Sequence, residues 1–288
     1  MCSSDLLVGP QRRGLAMGLN EFAGYLAVAG AAMASGVVAT MYGLRAGPAY
    51  IGVAIALTGL VLSVLFVRET RHHADFEERS GAGARVNKPT VMQLVRRSLW
   101  TDRGLFSVSQ AGLVNNLNDG LAWGVFPMLF AAAALSLAEM SALVAIYPAV
   151  WGICQLVTGP LSDRWGRKWL IVGGMVVQGM ALLAISHTRD VVAWSGGLIA
   201  LGIGTALVYP TLLAAVGDIA RPSWRGVAVG VYRLWRDLGY VAGALLAGVV
   251  ADFFGVPVAI GTVGIITIMS GLLVAMHFEE NRTGGGAR

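Results

Sequence analysis

Eight long apolar segments constrain the fold of this chain more than any other feature. They span residues 14–44, 48–67, 105–135, 140–161, 169–186, 191–217, 226–252 and 256–277. A helix needs about 20 mostly apolar residues to cross a bilayer, and these segments approach or exceed that length. Barrel strands are shorter and alternate between apolar and polar residues, which these segments do not. The sequence therefore predicts an all-α integral membrane protein with eight transmembrane helices.

The composition excludes several other classes of protein. The chain is 56% hydrophobic and only 13% charged, which leaves too little polar surface for a soluble domain. Its net charge of +5 does not predict a nucleic-acid partner, because the basic residues lie in loops between apolar segments. Cys2 and Cys154 are too few for a disulfide framework or a thiolate metal site, and the four histidines lack ligand spacing. No metal or cofactor is expected.

The distribution of basic residues orients the predicted helices. If residue 1 is cytoplasmic, 17 of the 21 lysines and arginines lie in cytoplasmic segments, and only Arg45 and Arg189 lie on the opposite face. Cytoplasmic loops of membrane proteins carry this excess of positive charge. Both termini are therefore predicted to be cytoplasmic in a multi-pass protein of the bacterial inner membrane, with the lipid bilayer as its first partner.

One long loop, residues 68–103, separates the second and third segments. Within it, Pro89 and the candidate N-cap Thr90 precede a short amphipathic stretch. This stretch predicts an interfacial helix that turns its apolar residues toward lipid; these are Val91, Leu94, Val95 and Leu99. The alternative is a solvated linker. The chain then divides into residues 1–67, a cytoplasmic loop at 68–103, and a six-helix unit at 104–288.

An internal repeat relates the two ends of the chain. GPQRRGLAMG at 9–18 resembles RPSWRGVAVG at 221–230, and twelve residues between 10 and 43 recur 212 positions later. Both copies run in the same direction, as in the halves of many transporters. At this offset the third to sixth segments have no counterparts. The chain is therefore expected to be the last eight helices of a twelve-helix protein, without about 110 N-terminal residues.

The stretch GPLSDRWGRK, residues 159–168, places charges between two apolar segments. Gly159 would allow close helix approach, Gly166 a sharp turn, and Asp163 would accept bonds from nearby cations. Arg164, Arg167 and Lys168 would hold the loop at the cytoplasmic surface. The simpler alternative is a generic positively charged turn.

The same stretch resembles the signature loop of the major facilitator superfamily, in the copy found in the second half of the fold. The resemblance extends over residues 7–280 and implies a twelve-helix bundle whose two halves rock to give alternating access. In that family the loop acts as a latch between the halves. The resemblance implies that it packs against the start of the first segment here, at Arg13, Gly14 and Gly18.

The third segment carries the cluster Asn115, Asn118 and Asp119, at a spacing that places all three on one helix face. Ionisable groups at membrane depth are expensive and often functional. The resemblance places this segment beside the central cavity, where a carboxylate would carry a proton or bind a cationic substrate. The alternative is that the cluster joins helices by polar contacts, with Asp119 capping a break near Gly120.

The seventh segment carries Arg233, Arg236 and Asp237. Arg233 and Asp237 have the spacing of an ion pair, and Arg236 needs another partner, for which Asp119 or Glu21 is a candidate. Glu21 occupies the position of Arg233 in the repeat, which suggests a contact between halves. Both lie only about 12 Å past the Arg-Gly pair of their repeats, so snorkelling to the interface is favoured for these two but not for Arg236 and Asp237.

Two tyrosines precede prolines within predicted helices, Tyr147 and Tyr209. The resemblance makes Tyr209 a candidate substrate contact, whereas both pairs also fit a structural kink. Gln155 and Gln178 are expected to join helices by hydrogen bonds.

The resemblance favours a secondary active transporter of small molecules, monomeric at full length, that exports drugs or metabolites in exchange for protons. The first segment lacks the Gly-Pro pair common in antiporters of the family, so an uptake permease or symporter is an alternative. An intramembrane enzyme is not favoured, because no nucleophile elbow or His-Glu-x-x-His motif occurs. With four helices absent, the chain itself is expected to be an inactive fragment.

The orientation predicts the labelling of single cysteines placed in a cysteine-free background. Lys168→Cys should react with a membrane-impermeant maleimide in inside-out vesicles and not in right-side-out vesicles, because Lys168 lies in a cytoplasmic loop. Arg189→Cys, in the opposite loop, should show the reverse pattern. Labelling of Lys168→Cys from outside the cell would contradict the orientation.

Overall fold

The computed structural model describes residues 13–66, 89–220 and 224–279, and the long elements within them are all helices. We number them α1 (Arg13–Tyr42), α2 (Ala46–Phe66), α3 (Val91–Arg96), α4 (Arg103–Ala132), α5 (Leu137–Trp165), α6 (Lys168–His187), α7 (Val191–Ile219), α8 (Arg225–Phe254) and α9 (Val256–His277). Eight of these coincide with the predicted segments. Seven are long and apolar enough to cross a membrane. The other, α4, is long enough but carries polar residues at its centre. The predicted all-α membrane fold is thus confirmed.

Local sequence signals explain where several helices begin. Asp102 caps α4 by accepting from the Leu105 amide at 2.9 Å, and Asp190 caps α7 by accepting from the Ala193 amide at 2.9 Å. Ser136 and Glu139 form a reciprocal capping box at the start of α5. Such caps satisfy amide groups that have no partner within the helix.

The repeat found in the sequence is also a structural repeat. Helices α1 and α8 each contain 30 residues, and both their first and their last residues are related by the same offset as the sequence repeat. Each ends at a glycine with positive φ, 86° at Gly43 and 89° at Gly255. Glycine adopts this conformation without the strain that a Cβ would cause, so both helices stop at the same point. Each is then followed by a second long helix.

The six helices α4 to α9 pack into one bundle. Helix α4 lies against α8 and α9, α6 lies between α7 and α9, and α5 packs on α7. Helix α1 packs along α5, where Gly152 approaches the Tyr25 side chain. Helix α2 contacts α1, and Gly47 is its one buried residue among those described.

The segment before α4 forms a helix, but its apolar face meets protein. Thr90 caps α3 in a capping box with Gln93, and residues 97–101 continue as a π-helical turn. Leu94 is buried in an apolar cluster to which α4, α6, α7, α8 and α9 all contribute, and the Trp235 indole donates to the Ser98 hydroxyl at 3.0 Å. The expectation that Leu94 faces lipid is therefore wrong. Amphipathic spacing identifies an apolar face without distinguishing lipid from protein as its neighbour.

Small residues allow the backbones of α4 and α8 to touch. A Cβ added to Gly239 or Gly243 would overlap the backbone carbonyl of Leu113 or Leu117, respectively. On α4, a Cβ at Gly120 would overlap the Tyr240 carbonyl. Close approach of this kind drives helix association in membranes, where apolar burial gives little advantage over lipid.

Gly243→Ala should destabilise the protein by about 1–3 kcal/mol, because the added methyl group meets backbone that cannot move independently. The matched control is Gly248→Ala on the same helix, where no atom lies within 4 Å of the added Cβ. The measurement is the thermal unfolding temperature in detergent. Equal unfolding temperatures for the two variants would contradict the packing described for α4 and α8.

Candidate functional site

The signature loop ties the ends of three helices together. Gly166 adopts φ 89° and ends α5, and α6 begins at Lys168. Between them, Arg167 donates to the Asp218 carboxylate of α7 at 3.1 Å and to the Ser162 hydroxyl of α5 at 2.5 Å. Sequence reasoning missed Asp218, because it lies on α7, outside the residue pattern used to identify the loop. It gave no role to Ser162, although Ser162 belongs to that pattern.

For the other residues expected in the latch, the structure describes few contacts. The side chains of Asp163 and Arg164 lie outside the described residues, as do the contacts of Arg13, Gly14 and Gly18 at the start of α1. Around Gly159, no described atom lies within 4 Å of an added Cβ, so the expected close helix approach is not found there. The Lys168 ammonium lies 5.8 Å from the centre of the Trp169 ring.

Asn115 and Asn118 belong to a buried network of amides that joins α4, α6 and α9. The Gln178 amide nitrogen donates to Asn115 at 3.1 Å, and the Asn118 amide nitrogen donates to Gln178 at 2.8 Å. Thr267 completes the network by donating to Asn118 at 2.7 Å. This is the arrangement expected of polar contacts that hold membrane helices together. Both asparagines therefore already have protein partners.

Asp119 makes its contact with α5 instead. Its carboxylate is buried and accepts a hydrogen bond from the Tyr147 hydroxyl. The same hydroxyl lies 3.2 Å from the Thr205 hydroxyl of α7. Adjacent residues differ by about 100° around a helix, so Asp119 and Asn118 point to different neighbours. From one helix face, Asp119 thus contacts α5, whereas Asn115 and Asn118 contact α6 and α9.

Arg236 of α8 pairs with its neighbour in sequence and with an aromatic ring. It donates to one oxygen of Asp237 from two nitrogens, at 2.9 and 2.7 Å, and to the Tyr209 hydroxyl at 2.6 Å. Its guanidinium carbon lies 5.4 Å from the centre of the Tyr209 ring. Asp237 thus pairs with Arg236, where the sequence had suggested Arg233. The side chain of Glu21, the other candidate partner, lies outside the described residues.

An aromatic cluster links these two charged centres. Tyr147 stacks on Trp151 with ring centres 5.7 Å apart, and Trp151 meets the edge of Tyr209 at 5.4 Å. Tyr25 of α1 lies against Trp151 at 3.6 Å. The sequence had pointed to Tyr147 and Tyr209 through their prolines, whereas Tyr25 and Trp151 join them through contacts between helices.

Three side chains on α5 have buried polar atoms without hydrogen-bond partners. The atoms concerned are the Trp151 indole nitrogen, both amide atoms of Gln155 and the Thr158 hydroxyl. A buried polar group without a hydrogen bond costs about 1–3 kcal/mol. Gln178 satisfies both ends of its amide, so its predicted role in joining helices agrees with the structure, and that of Gln155 does not.

Replacing each of the two glutamines by leucine should therefore have different effects on stability. Gln178→Leu should lower the free energy of unfolding by about 1–3 kcal/mol, because it leaves Asn115 and Asn118 with unpaired amide atoms. Gln155→Leu, its matched control, removes two unpaired atoms and should leave stability unchanged or higher. Unfolding of both variants in mixed detergent micelles measures the difference. A loss at Gln155→Leu equal to that at Gln178→Leu would contradict this assignment.

Bacterial transporters are among the proteins to which this chain is similar. It is 27% identical to the inner membrane transport protein YnfM of Escherichia coli (strain K12) over 161 residues, which cover 55% of this chain and 38% of that protein. It is 26% identical to the bacillibactin exporter of Bacillus subtilis (strain 168) over 156 residues, covering 50% and 39%. The chain thus spans less than half the length of these relatives.

Solved structures and a family model agree with these similarities. The crystal structure of the human organic anion transporter MFSD10 superposes with a TM-score of 0.63 at 18% identity, covering 94% of this chain and 66% of that one. The match therefore concerns the fold. The family model of the Major Facilitator Superfamily matches residues 108–287, more than half of the chain. With its helical membrane fold and its transporter relatives, the chain belongs to the Major Facilitator Superfamily.

Proposed function

We propose that the protein encoded by the complete gene is a secondary active transporter that exports small molecules in exchange for protons. The observation that carries this proposal is the Asp119 carboxylate, buried within α4 and bound by the Tyr147 hydroxyl. The name of the bacillibactin exporter supports export as the direction. Uptake together with protons is the alternative that an assay of direction would reveal.

The surroundings of Asp119 support the proposed proton coupling. A charged carboxylate is expensive in the apolar interior of a membrane, whereas its protonated form is much less so. The Tyr147 hydroxyl stabilises the ionised form by donating to it. A carboxylate with a few polar neighbours can therefore be neutralised either by a proton or by a cationic group of a substrate. If a proton and a cationic substrate compete for this one carboxylate, binding of one releases the other, and the protein exchanges substrate for protons.

The aromatic cluster supplies a route from this carboxylate to the second charged centre. Tyr25, Trp151 and Tyr209 offer flat apolar surfaces between Asp119 and the Arg236–Asp237 pair. Binding sites for small molecules typically combine such aromatic walls with a few polar groups. We therefore assign the substrate region to Asp119, Tyr209, Arg236 and Asp237. Asn115 and Asn118 are assigned to helix association.

Alternating access is proposed to occur at the contact between α1 and α5. Helix α1 belongs to the first half of the repeat and α5 to the second, and they pack along each other. The Arg167–Asp218 pair ties the loop end of α5 to α7, so these helices would move together. We propose that the loop faces the cytoplasm, as do both termini, and that Arg13, Gly14 and Gly18 receive it as a latch.

Transport is also proposed to require the counterparts of α4 to α7 in the first half of the repeat. The repeat predicts them at positions before residue 1. The functional protein would then be a monomer of twelve helices, with residues 1–67 completing its first half, 68–103 the central loop and 104–288 the second half.

Asp119→Asn should abolish transport against a gradient, because the amide keeps the shape of the side chain but takes up no proton. A substrate is first identified by screening cells that express the complete gene for resistance to toxic compounds. In proteoliposomes with an imposed pH gradient, we expect export of that compound to fall by about tenfold or more, the scale of typical coupling free energies. Exchange of labelled for unlabelled substrate should fall as well, because the amide no longer pairs with a cationic group of the substrate.

Two controls accompany this measurement. Asp252→Asn changes an exposed carboxylate near the end of α8 and should transport normally. The 288-residue chain expressed alone should not transport. If Asp119→Asn still drives export with protons, the assignment of Asp119 is wrong.

A further inference from the structure

We infer that the face of α5 formed by Trp151, Gln155 and Thr158 is a water-binding track. We propose that it leads from the Tyr147–Asp119 pair to the loop at Gly159, and that water occupies it when α1 moves away from α5. The importance of this track for coupling rests on the proposed proton exchange at Asp119. Its existence as a hydrated path does not, and the two are tested separately.

The three side chains form a continuous line along the helix. Together with Tyr147 they stand at successive turns of α5, and Thr158 directly precedes the signature loop. Helical rise separates neighbouring members by about 4.5–6 Å. One water molecule that bonds to two groups spans up to about 5.6 Å, twice a normal hydrogen-bond length. One water therefore bridges the shortest step, and two waters in line bridge each of the longer ones.

The chemistry of the groups also suits water. The Trp151 indole donates only, whereas the Gln155 amide and the Thr158 hydroxyl each offer a donor and an acceptor. All three residues are at least nine-tenths buried, and the atoms in question have no hydrogen-bond partner. Buried polar groups in native proteins are nearly always paired with protein or with ordered water. On the same bundle, the Trp194 indole is paired with the carbonyls of Ile185 and Thr188.

Helix α1 covers part of this face in the present conformation. The Tyr25 ring lies on Trp151, and Gly152 brings the backbone near Phe22 close to α5. The unpaired atoms have almost no accessible area, so water is excluded while the helices remain in this position. Because α1 and α5 belong to different halves of the repeat, rocking of the halves would separate them and admit water. A polar substrate group is a less suitable occupant, since all three groups lie along one line on a single helix.

Radiolytic footprinting tests the track without any substitution. Hydroxyl radicals produced from water in an X-ray beam oxidise side chains that water contacts, and mass spectrometry reports the rate at each tryptophan. The protein from the complete gene is examined in vesicles without substrate, so that only water can occupy the track. We expect Trp151 to be oxidised about tenfold faster than Trp194, because transporter conformers differ by only a few kcal/mol and the open one is populated. Equal rates for the two tryptophans would overturn the proposal.

A cysteine substitution tests from which end water enters. With Cys2 and Cys154 replaced by serine, Thr158→Cys should react with a charged methanethiosulfonate added on the side of the signature loop. Val157→Cys is the matched control at the same depth, because Val157 is 65% exposed on the outer surface of the bundle and should contact lipid. We expect Thr158→Cys to react about tenfold faster, on the same argument of a populated open conformer.

The outcomes separate the track from the proposed function. Fast oxidation of Trp151 and fast labelling of Thr158→Cys support the track, even if Asp119→Asn continues to couple transport to protons. Slow reaction at both positions, from both sides of the membrane, overturns the track even if Asp119 proves essential.

Discussion

The hydrogen bond between Tyr147 and Asp119 is the interaction on which the functional interpretation depends. Inside a bilayer no water is available to solvate a carboxylate, so the protein must supply the partner. Tyr147 does so from α5, with the Thr205 hydroxyl of α7 beside it. Three helices thereby meet at one ionisable group. Any change in the charge of that group alters the energy of their contacts, which is the property that coupling requires.

The two polar systems of the bundle differ in how completely they are satisfied. The amides of Asn115, Asn118 and Gln178 pair with one another, so this network holds α4, α6 and α9 in one arrangement. On α5, Trp151, Gln155 and Thr158 have polar atoms without hydrogen-bond partners, and Tyr25 of α1 packs on Trp151. A contact that leaves polar groups unpaired is less stable than a fully paired one. This is why the opening of the bundle is proposed at the contact between α1 and α5.

The repeat assigns the two helices of this contact to different halves of the protein. Helices α1 and α8 have the same length, begin and end at equivalent positions of the repeat, and are each followed by a glycine with positive φ. Among the described residues, α1 packs along α5, and α8 packs on α4 through Gly239 and Gly243. The contact of α8 with α4 lies within one half of the repeat, and the contact of α1 with α5 joins the two halves.

The sequence alone determined the membrane class, the long helices, the repeat and the family, because bilayer thickness and loop chemistry act locally along the chain. It also pointed to Asp119, since a carboxylate within an apolar segment stands out without any structure. Only the tertiary structure decided the partners: Leu94 meets protein, Asp237 pairs with Arg236, and Gln155 stays unpaired where Gln178 is satisfied. Helical periodicity shows which residues share a face, and the neighbour of that face depends on how distant helices pack.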